Sequence, residues 1–121
     1  MTTKEIGQQL VDLCKAGKNH EAIKSLYAED IVSREAGAPP GRSPETIGRA
    51  ACLAKSATWA ETTEVHSRKV EGPFPHGDRF AVIFDMDITR RPENRRFTMK
   101  EIALYTVNND KITREEFFYS M

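Results

Sequence analysis

The sequence predicts a single α+β domain, in which three helices at the amino-terminal end pack on one face of a strongly curved, mostly antiparallel sheet. Two observations carry this prediction. Apolar residues recur at helical spacing as far as about residue 61, and the pattern then alternates, as in strands, to the end of the chain. Turn signals at residues 92–95 and 108–110 divide the alternating half into strands.

The first helix is predicted at residues 3–16, where Thr2 and Glu5 form a capping-box pattern ahead of an apolar stripe. A second, shorter helix begins at Asn19, a residue type suited to an N-cap, and ends near residues 28–30. Its apolar side carries Ala22, Ile23, Leu26 and Tyr27.

A short strand is predicted at residues 31–34, followed by an exposed loop at residues 35–42 that is rich in Ala, Gly and Pro. Residues 43–45, Ser-Pro-Glu, then carry a hydroxyl cap, a proline suited to the first helical position and an acid in the first turn. These features predict a third helix that runs to about residue 61.

The strand half begins with predicted strands at residues 63–70 and 80–89. A four-residue turn at 92–95 then sets the register of the next strand. It places Met86 opposite Glu101 on the apolar face and pairs Asp87 with Lys100 on the other face.

The final hairpin is predicted to turn at residues 108–110, a three-residue loop. This register places Glu115 opposite Ala103 and Phe117 opposite Glu101, and it keeps Phe117 beside the apolar face. A two-residue loop is the alternative, and it would reverse the faces of the last strand.

Composition excludes several classes of function. The eighteen basic and eighteen acidic residues cancel, so we expect neither nucleic acid nor an anionic membrane as a partner. No apolar run approaches the roughly 18 residues of a membrane span, and the first residues lack the apolar core of a signal peptide. Cys14 and Cys52 are expected to be buried free thiols, which favours a cytoplasmic protein.

Cofactor and metal motifs are also missing from the sequence. It contains no Gly-x-Gly-x-x-Gly, no phosphate loop and no Gly-x-Ser-x-Gly, so we expect no nucleotide cofactor and no covalent catalysis. The three histidines have no ligand spacing, and no metal site is predicted.

Three strings resemble the SnoaL-like group of the nuclear transport factor 2-like superfamily, which has a cone-shaped, cystatin-like α+β fold: residues 26–32 (LYAEDIV), 41–47 (GRSPETI) and 110–119 (DKITREEFFY). The resemblance covers nearly the whole chain and implies a cavity between the sheet and the helices. It also implies one of several activities (isomerase, cyclase, dehydratase or hydrolase) or a non-catalytic binding role. Members of the group are commonly homodimers through the outer sheet face, which here carries Lys100, Ile102, Leu104 and Phe118.

The resemblance also gives a residue-by-residue comparison with ketosteroid isomerases. It sets Glu35 at the position of their general-base aspartate. Val11 and Ala103 stand where those enzymes carry the two donors that stabilise the dienolate, so steroid isomerisation is not expected.

Glu101 is the main catalytic candidate, because apolar surroundings should raise the pKa of its carboxyl group towards neutrality and suit it to proton transfer. The alternative is a structural carboxylate tied to an arginine or to backbone donors. Glu115, expected one diagonal step from Glu101, could share acid and base roles or be solvated or paired with Arg114 or Arg68.

His66 is a further candidate, since a histidine beside a buried glutamate would form a proton couple. The pattern leaves its facing open, and a histidine satisfied within the sheet is the alternative reading.

A ligand pocket would be lined by eight apolar or aromatic side chains, unless these are ordinary core residues: Tyr27, Trp59, Phe84, Met86, Met99, Tyr105, Phe117 and Tyr119. Two hypotheses follow for the function. One is an enzyme without a cofactor that acts on a small apolar molecule through Glu101. The other is a non-catalytic domain that binds a hydrophobic ligand or forms a dimeric scaffold.

Overall fold

The computed structural model describes residues 1–120. Its elements in chain order are α1 (Thr3–Lys15), α2 (Asn19–Leu26), β1 (Tyr27–Arg34), β2 (Glu45–Ile47), α3 (Arg49–Thr62), β3 (Thr63–His76), β4 (Arg79–Arg90), β5 (Arg95–Asn108) and β6 (Lys111–Phe118).

All six strands form one curved sheet in the order β2-β1-β6-β5-β4-β3. Every neighbouring pair is antiparallel except β1 and β6, which run parallel and join the first strand of the chain to the last. The three helices cover one face of this sheet, which confirms the predicted fold class.

The core lies between the helices and the inner face of the sheet. The strict alternation of β4 sends Phe80, Val82 and Ile88 inward, and all three are fully buried. Ile6 and Leu10 of α1 close the core from the helix side. The apolar side of the helices and the inner face of the strands therefore pack together in one core, as the sequence predicts.

The helix boundaries agree with prediction at α1 and differ at α2 and α3. The capping box of Thr2 and Glu5 is present, and α1 ends at Lys15. Helix α2 ends at Leu26, so the first strand begins earlier than expected, at Tyr27.

The start of the third helix was predicted wrongly. Residues Glu45–Ile47 form strand β2, and α3 begins only at Arg49, after Gly48 with φ 99°. Thr46 pairs with Ser33 of β1, and the Gly48 N–H donates to the Ile31 carbonyl. This added edge strand satisfies backbone groups of β1, which local cap signals do not report.

The predicted register of β4 and β5 is wrong by two residues. The turn occupies residues 91–94, one position earlier than predicted, and Asn94 takes the left-handed conformation with φ 52°. Phe84, and not Met86, therefore lies opposite Glu101. Because the shift is an even number, every side chain keeps its predicted face.

The ion pair predicted across these strands also changes partner. Lys100 lies opposite Asp85, and Asp87 instead accepts two hydrogen bonds from the Arg96 guanidinium, at 3.1 and 2.9 Å. This bond with Arg96 is the first cause of the lowered pKa of Asp87.

The final hairpin turns on two residues, Asn109 and Asp110, both with positive φ. The predicted three-residue loop is wrong, yet beyond Thr113 the faces of β6 are not reversed. A bulge at Thr113 adds one residue to β6, so that Phe117 lies opposite Ala103 on the inner face. The bulge, and not the length of the loop, therefore gives the residues beyond it their predicted faces.

Cys14 and Cys52 are buried free thiols, as expected. Burial raises the pKa of Cys14 to about 12. None of the helices within residues 1–120 is both long and apolar enough to cross a membrane.

Candidate functional site

The most deeply buried acid in the described chain is Glu115, which is only 4% exposed. It lies beside Ser33 on the parallel strand β1 and opposite Tyr105 on β5. The Tyr27 hydroxyl donates a hydrogen bond to its carboxylate. Burial raises the pKa of Glu115, and hydrogen bonds from the hydroxyls of Tyr27 and Ser33 oppose that rise.

Glu115 is not where the sequence placed it. The corrected register sets it opposite Tyr105, two residues beyond Ala103 and four beyond Glu101 on β5. The offset along the strand is about 13 Å, so the two carboxyls are not diagonal neighbours. Neither Arg114 nor Arg68 neutralises Glu115 within residues 1–120.

Glu101 lies on the inner face of β5, opposite the buried Phe84. The pKa of Glu101 is raised to about 7, first by burial and then by the negative charges of Glu35 and Glu115, while the Lys55 charge acts to lower it. No side chain among residues 1–120 forms a hydrogen bond or an ion pair with Glu101. No backbone N–H there donates to its carboxylate either, so this acid has neither partner of the structural alternative, an arginine or backbone donors.

A polar network connects β1, α3 and the end of the chain near Glu101. The Lys55 ammonium donates to Glu35 Oε1 and to Ser33 Oγ, both at 3.1 Å. The Tyr119 hydroxyl donates to Glu35 Oε2 at 2.9 Å. Both oxygens of Glu35 are thus occupied, and this residue holds Lys55 and Tyr119 in place.

Burial raises the pKa of Tyr119 to about 12, helped by its bond to Glu35 and by the negative charges of Glu35 and Glu101. Tyr119 therefore remains a proton donor at neutral pH. Because the charges of Glu35 and Glu101 both act on the Tyr119 hydroxyl, these three side chains share one region of the structure.

A cleft of about 240 Å³ opens at this region. Glu35 and Tyr119 line it together with Phe117, whose ring lies 5.9 Å from the Lys55 ammonium. The lining also includes Arg34, Glu116 and Phe118, and it includes neither Glu101 nor Lys55. It combines carboxylates, a guanidinium, a hydroxyl and aromatic surfaces, which suit a small molecule with polar and apolar parts.

Sequence reasoning missed Lys55 and Ser33. A lysine on a helix normally indicates a solvated face, so Lys55 gave no signal of its own. A weak signal exists in the spacing, because Lys55 follows the buried Cys52 by one helical turn. Ser33 shares strand parity with the buried Ile31, which could have predicted its inward orientation.

His66 lies away from these carboxyls. Its Nε2 is 2.6 Å from the Thr89 hydroxyl and its Nδ1 is 3.3 Å from Glu64, on the outer face of the sheet. Glu101 faces the opposite side, so the structure does not form the predicted proton couple. The reading as a satisfied sheet histidine describes His66 better.

The predicted ligand-binding residues divide into two groups. Tyr27, Phe84, Met86 and Tyr105 are buried in the core cluster, so they hold the interior together. The more accessible ones are half-buried at its border: Trp59, Met99, Phe117 and Tyr119. Of these, Phe117 and Tyr119 line the cleft beside Glu35.

Comparison with known families decides the classification. The sequence profile described as the SnoaL-like domain matches residues 1–119. The chain belongs to the SnoaL-like family. Among curated proteins, none matches the chain.

Solved structures extend this SnoaL-like assignment. A protein of Mesorhizobium loti, provisionally named a SnoaL-like polyketide cyclase, is 43% identical over 98% of this chain and 100% of its own, with a TM-score of 0.92. A provisionally named isomerase of Bacillus subtilis is 17% identical, with a TM-score of 0.81 over 99% of this chain and 90% of its own. A third, of Pseudomonas putida, also provisionally named a polyketide cyclase, is 17% identical, with a TM-score of 0.73 over 100% and 93%. The last two share the fold alone.

Proposed function

We propose that this SnoaL-like protein is an acid–base enzyme of the isomerase or cyclase type that acts on a small, largely apolar molecule. The observation that carries the proposal is the half-buried carboxyl of Glu101, which faces the inner side of the sheet without a hydrogen-bonding or ionic partner among residues 1–120. A structural carboxylate would normally be paired at that depth.

Glu101 is the proton-transfer residue of the proposed reaction. With a pKa of about 7 it is present at neutral pH in both forms, so it can take a proton from a carbon beside a carbonyl and return it elsewhere. The negative charge that develops on the substrate oxygen then needs a donor.

Lys55 supplies the positive charge for that oxygen. Two of its three N–H groups bond Glu35 and Ser33, and the third is free to donate within the described chain. Glu35, the family-based candidate for a general base, acts as a positioning residue because both its oxygens are engaged. Glu115 keeps Tyr27 and the adjoining strands in register.

The proposal is tested by hydrogen–deuterium exchange, which reports proton abstraction without knowledge of the product. Small β-dicarbonyl compounds and unsaturated ketones are incubated with the protein in D₂O and followed by proton NMR. We expect the protein to accelerate exchange and Glu101→Gln to abolish the acceleration. Glu93→Gln, which changes an exposed acid in the β4–β5 turn, is the matched control and should keep it.

Exchange no faster than in buffer for every compound would refute the enzyme proposal. Binding of those compounds without exchange would favour the non-catalytic ligand-binding function instead.

We further propose that the outer face of the sheet binds a second copy of the chain. Ile102 and Phe118 are opposite one another on β5 and β6 and are 47% and 51% exposed. Asp85 and Lys100 lie opposite one another on one side of this apolar pair. Acids and bases at the edge of an apolar centre suit the self-complementary contact of a two-fold dimer.

Ile102→Asp places a charge at the centre of that face and should give a monomer in sedimentation velocity. Ala50→Asp, at an exposed residue of α3 on the helix side of the sheet, is the control and should leave the mass unchanged. A dimeric mass for Ile102→Asp would place the interface elsewhere.

A further inference from the structure

A second cleft, of about 320 Å³, opens between the α1–α2 turn, α3 and β3. It shares no lining residue with the cleft beside Glu35. Its volume lies at the lower end of the range for small-ligand sites, roughly 300–1,000 Å³. No Asp or Glu lines it, and its one permanently charged lining residue is Arg68.

Arg68 is a half-buried cation without an acidic partner. It lies opposite Met86, on the inner face of β3. Its Nη1 donates to the Cys14 carbonyl at 3.1 Å and to Asn19 Oδ1 at 3.2 Å. No carboxylate within residues 1–120 lies within ion-pair distance, and Nε and Nη2 make no hydrogen bond there. A partly desolvated guanidinium of this kind favours an anion in the cleft.

The remaining wall is apolar and aromatic. Trp59, Val65 and Ala57 contribute to it, and Trp59 also packs against the core. An indole surface beside a guanidinium suits a flat apolar body that ends in a charged group. The planar fork of a single arginine matches the two oxygens of a carboxylate, and no second buried cation is present in the lining to favour phosphate.

We infer that this cleft binds a small monocarboxylate with a flat apolar body, its carboxylate on Arg68 and its body against Trp59. The inference does not depend on the proton-transfer chemistry of Glu101. It adds a second small-molecule site to the protein.

The test uses Trp59, the single tryptophan of the chain, as a fluorescent reporter within the cleft. Phenylacetate and phenylacetamide have the same shape and differ in charge. We expect phenylacetate to give a saturable change in emission and the amide to bind at least about tenfold more weakly, because it loses the charged hydrogen bonds to Arg68. Equal affinity for the two, or no response to either, would overturn the inference.

Variants locate the bound carboxylate. Arg68→Gln should remove the preference for phenylacetate over the amide. Lys69→Gln, a change to the neighbouring exposed cation, is the matched control and should bind as the unaltered protein does. Because Arg68 also bonds the last turn of α1, circular dichroism checks that each variant folds. The comparison of the two ligands on the unaltered protein decides the question if Arg68→Gln does not fold.

Glu101→Gln separates this inference from the proposed enzyme. Unchanged affinity for phenylacetate in that variant supports a separate cleft. A loss as large as that of Arg68→Gln would place the ligand at Glu101 and overturn the second site.

Discussion

Replacing Glu101 by Gln should make the protein more stable at alkaline pH and leave its stability at acidic pH nearly unchanged. The native pKa of Glu101 is about 7, against 4.5 for an ordinary glutamate. A folded state with the higher pKa binds the proton more tightly than the unfolded chain does. The native state is therefore favoured by the neutral acid, and stability falls as the pH rises from about 4.5 through about 7.

The size of this effect follows from the pKa difference. At about 1.36 kcal/mol per pH unit, the unaltered protein loses roughly 3 kcal/mol of its free energy of unfolding across that window. Glutamine has the same shape as the neutral acid and cannot ionise. The variant should therefore equal the unaltered protein near pH 4.5 and exceed it by up to about 3 kcal/mol above pH 8.

Urea denaturation at a series of pH values, followed by circular dichroism, measures the difference directly. Buried Glu115 titrates in both proteins, so subtracting the two curves leaves the effect of Glu101 together with its coupling to Glu115. Glu93→Gln should give a curve parallel to that of the unaltered protein. A Glu101→Gln curve that is also parallel would show that Glu101 is solvated in the native state, and the proposed proton transfer would lose its basis.

Three further changes test other parts of the structure. Tyr27→Phe leaves the buried Glu115 without its tyrosine donor and should lower the free energy of unfolding by about 1–3 kcal/mol in urea; an unchanged value would mean that the bond contributes nothing. Lys55→Met removes the charge that lowers the pKa of Glu101, so carboxyl-carbon NMR should find that pKa higher than before, and a fall would contradict the assigned electrostatics. Asp110 has φ 62° in the final turn, where glycine is less strained, and it makes an exposed ion pair with the Met1 amino group. Asp110→Gly should therefore have a higher thermal midpoint than Asp110→Asn, which removes the same charge, with a stabilisation of up to about 1 kcal/mol, whereas a lower midpoint would refute turn strain.

The sequence predicts the fold class because its strongest signals are periodic. The alternation from Phe80 to Ile88 assigns the faces of β4 without knowledge of any neighbour. The helical stripe and capping box of α1 are local signals of the same kind. The error in turn position shifted the cross-strand partners of the β4 residues by two positions and left their faces as predicted.

Features that depend on distant parts of the chain were not predictable in this way. Ser43 and Pro44 are compatible with a following helix and with a following strand, so they do not distinguish the two. Only the pairing with β1 makes the next residues strand β2. Lys55 is an ordinary surface residue by sequence, and its role depends on Glu35, which lies twenty positions earlier on another element. The acid at position 101 was identified because its conflict with apolar neighbours is visible in the sequence.

The extra residue at Thr113 has a consequence for how related proteins can diverge. The residues beyond the bulge already pair as in a regular two-residue hairpin without Thr113, with Glu115 opposite Tyr105 and Phe117 opposite Ala103. Deleting Thr113 would therefore leave both side chains at the interior, whereas pairing Thr113 within the ladder at unchanged length would bring Glu116 and Phe118 there instead. A one-codon deletion at this place is thus absorbed by the strand, while loss of the bulge without a deletion would replace cavity and surface side chains in a single event.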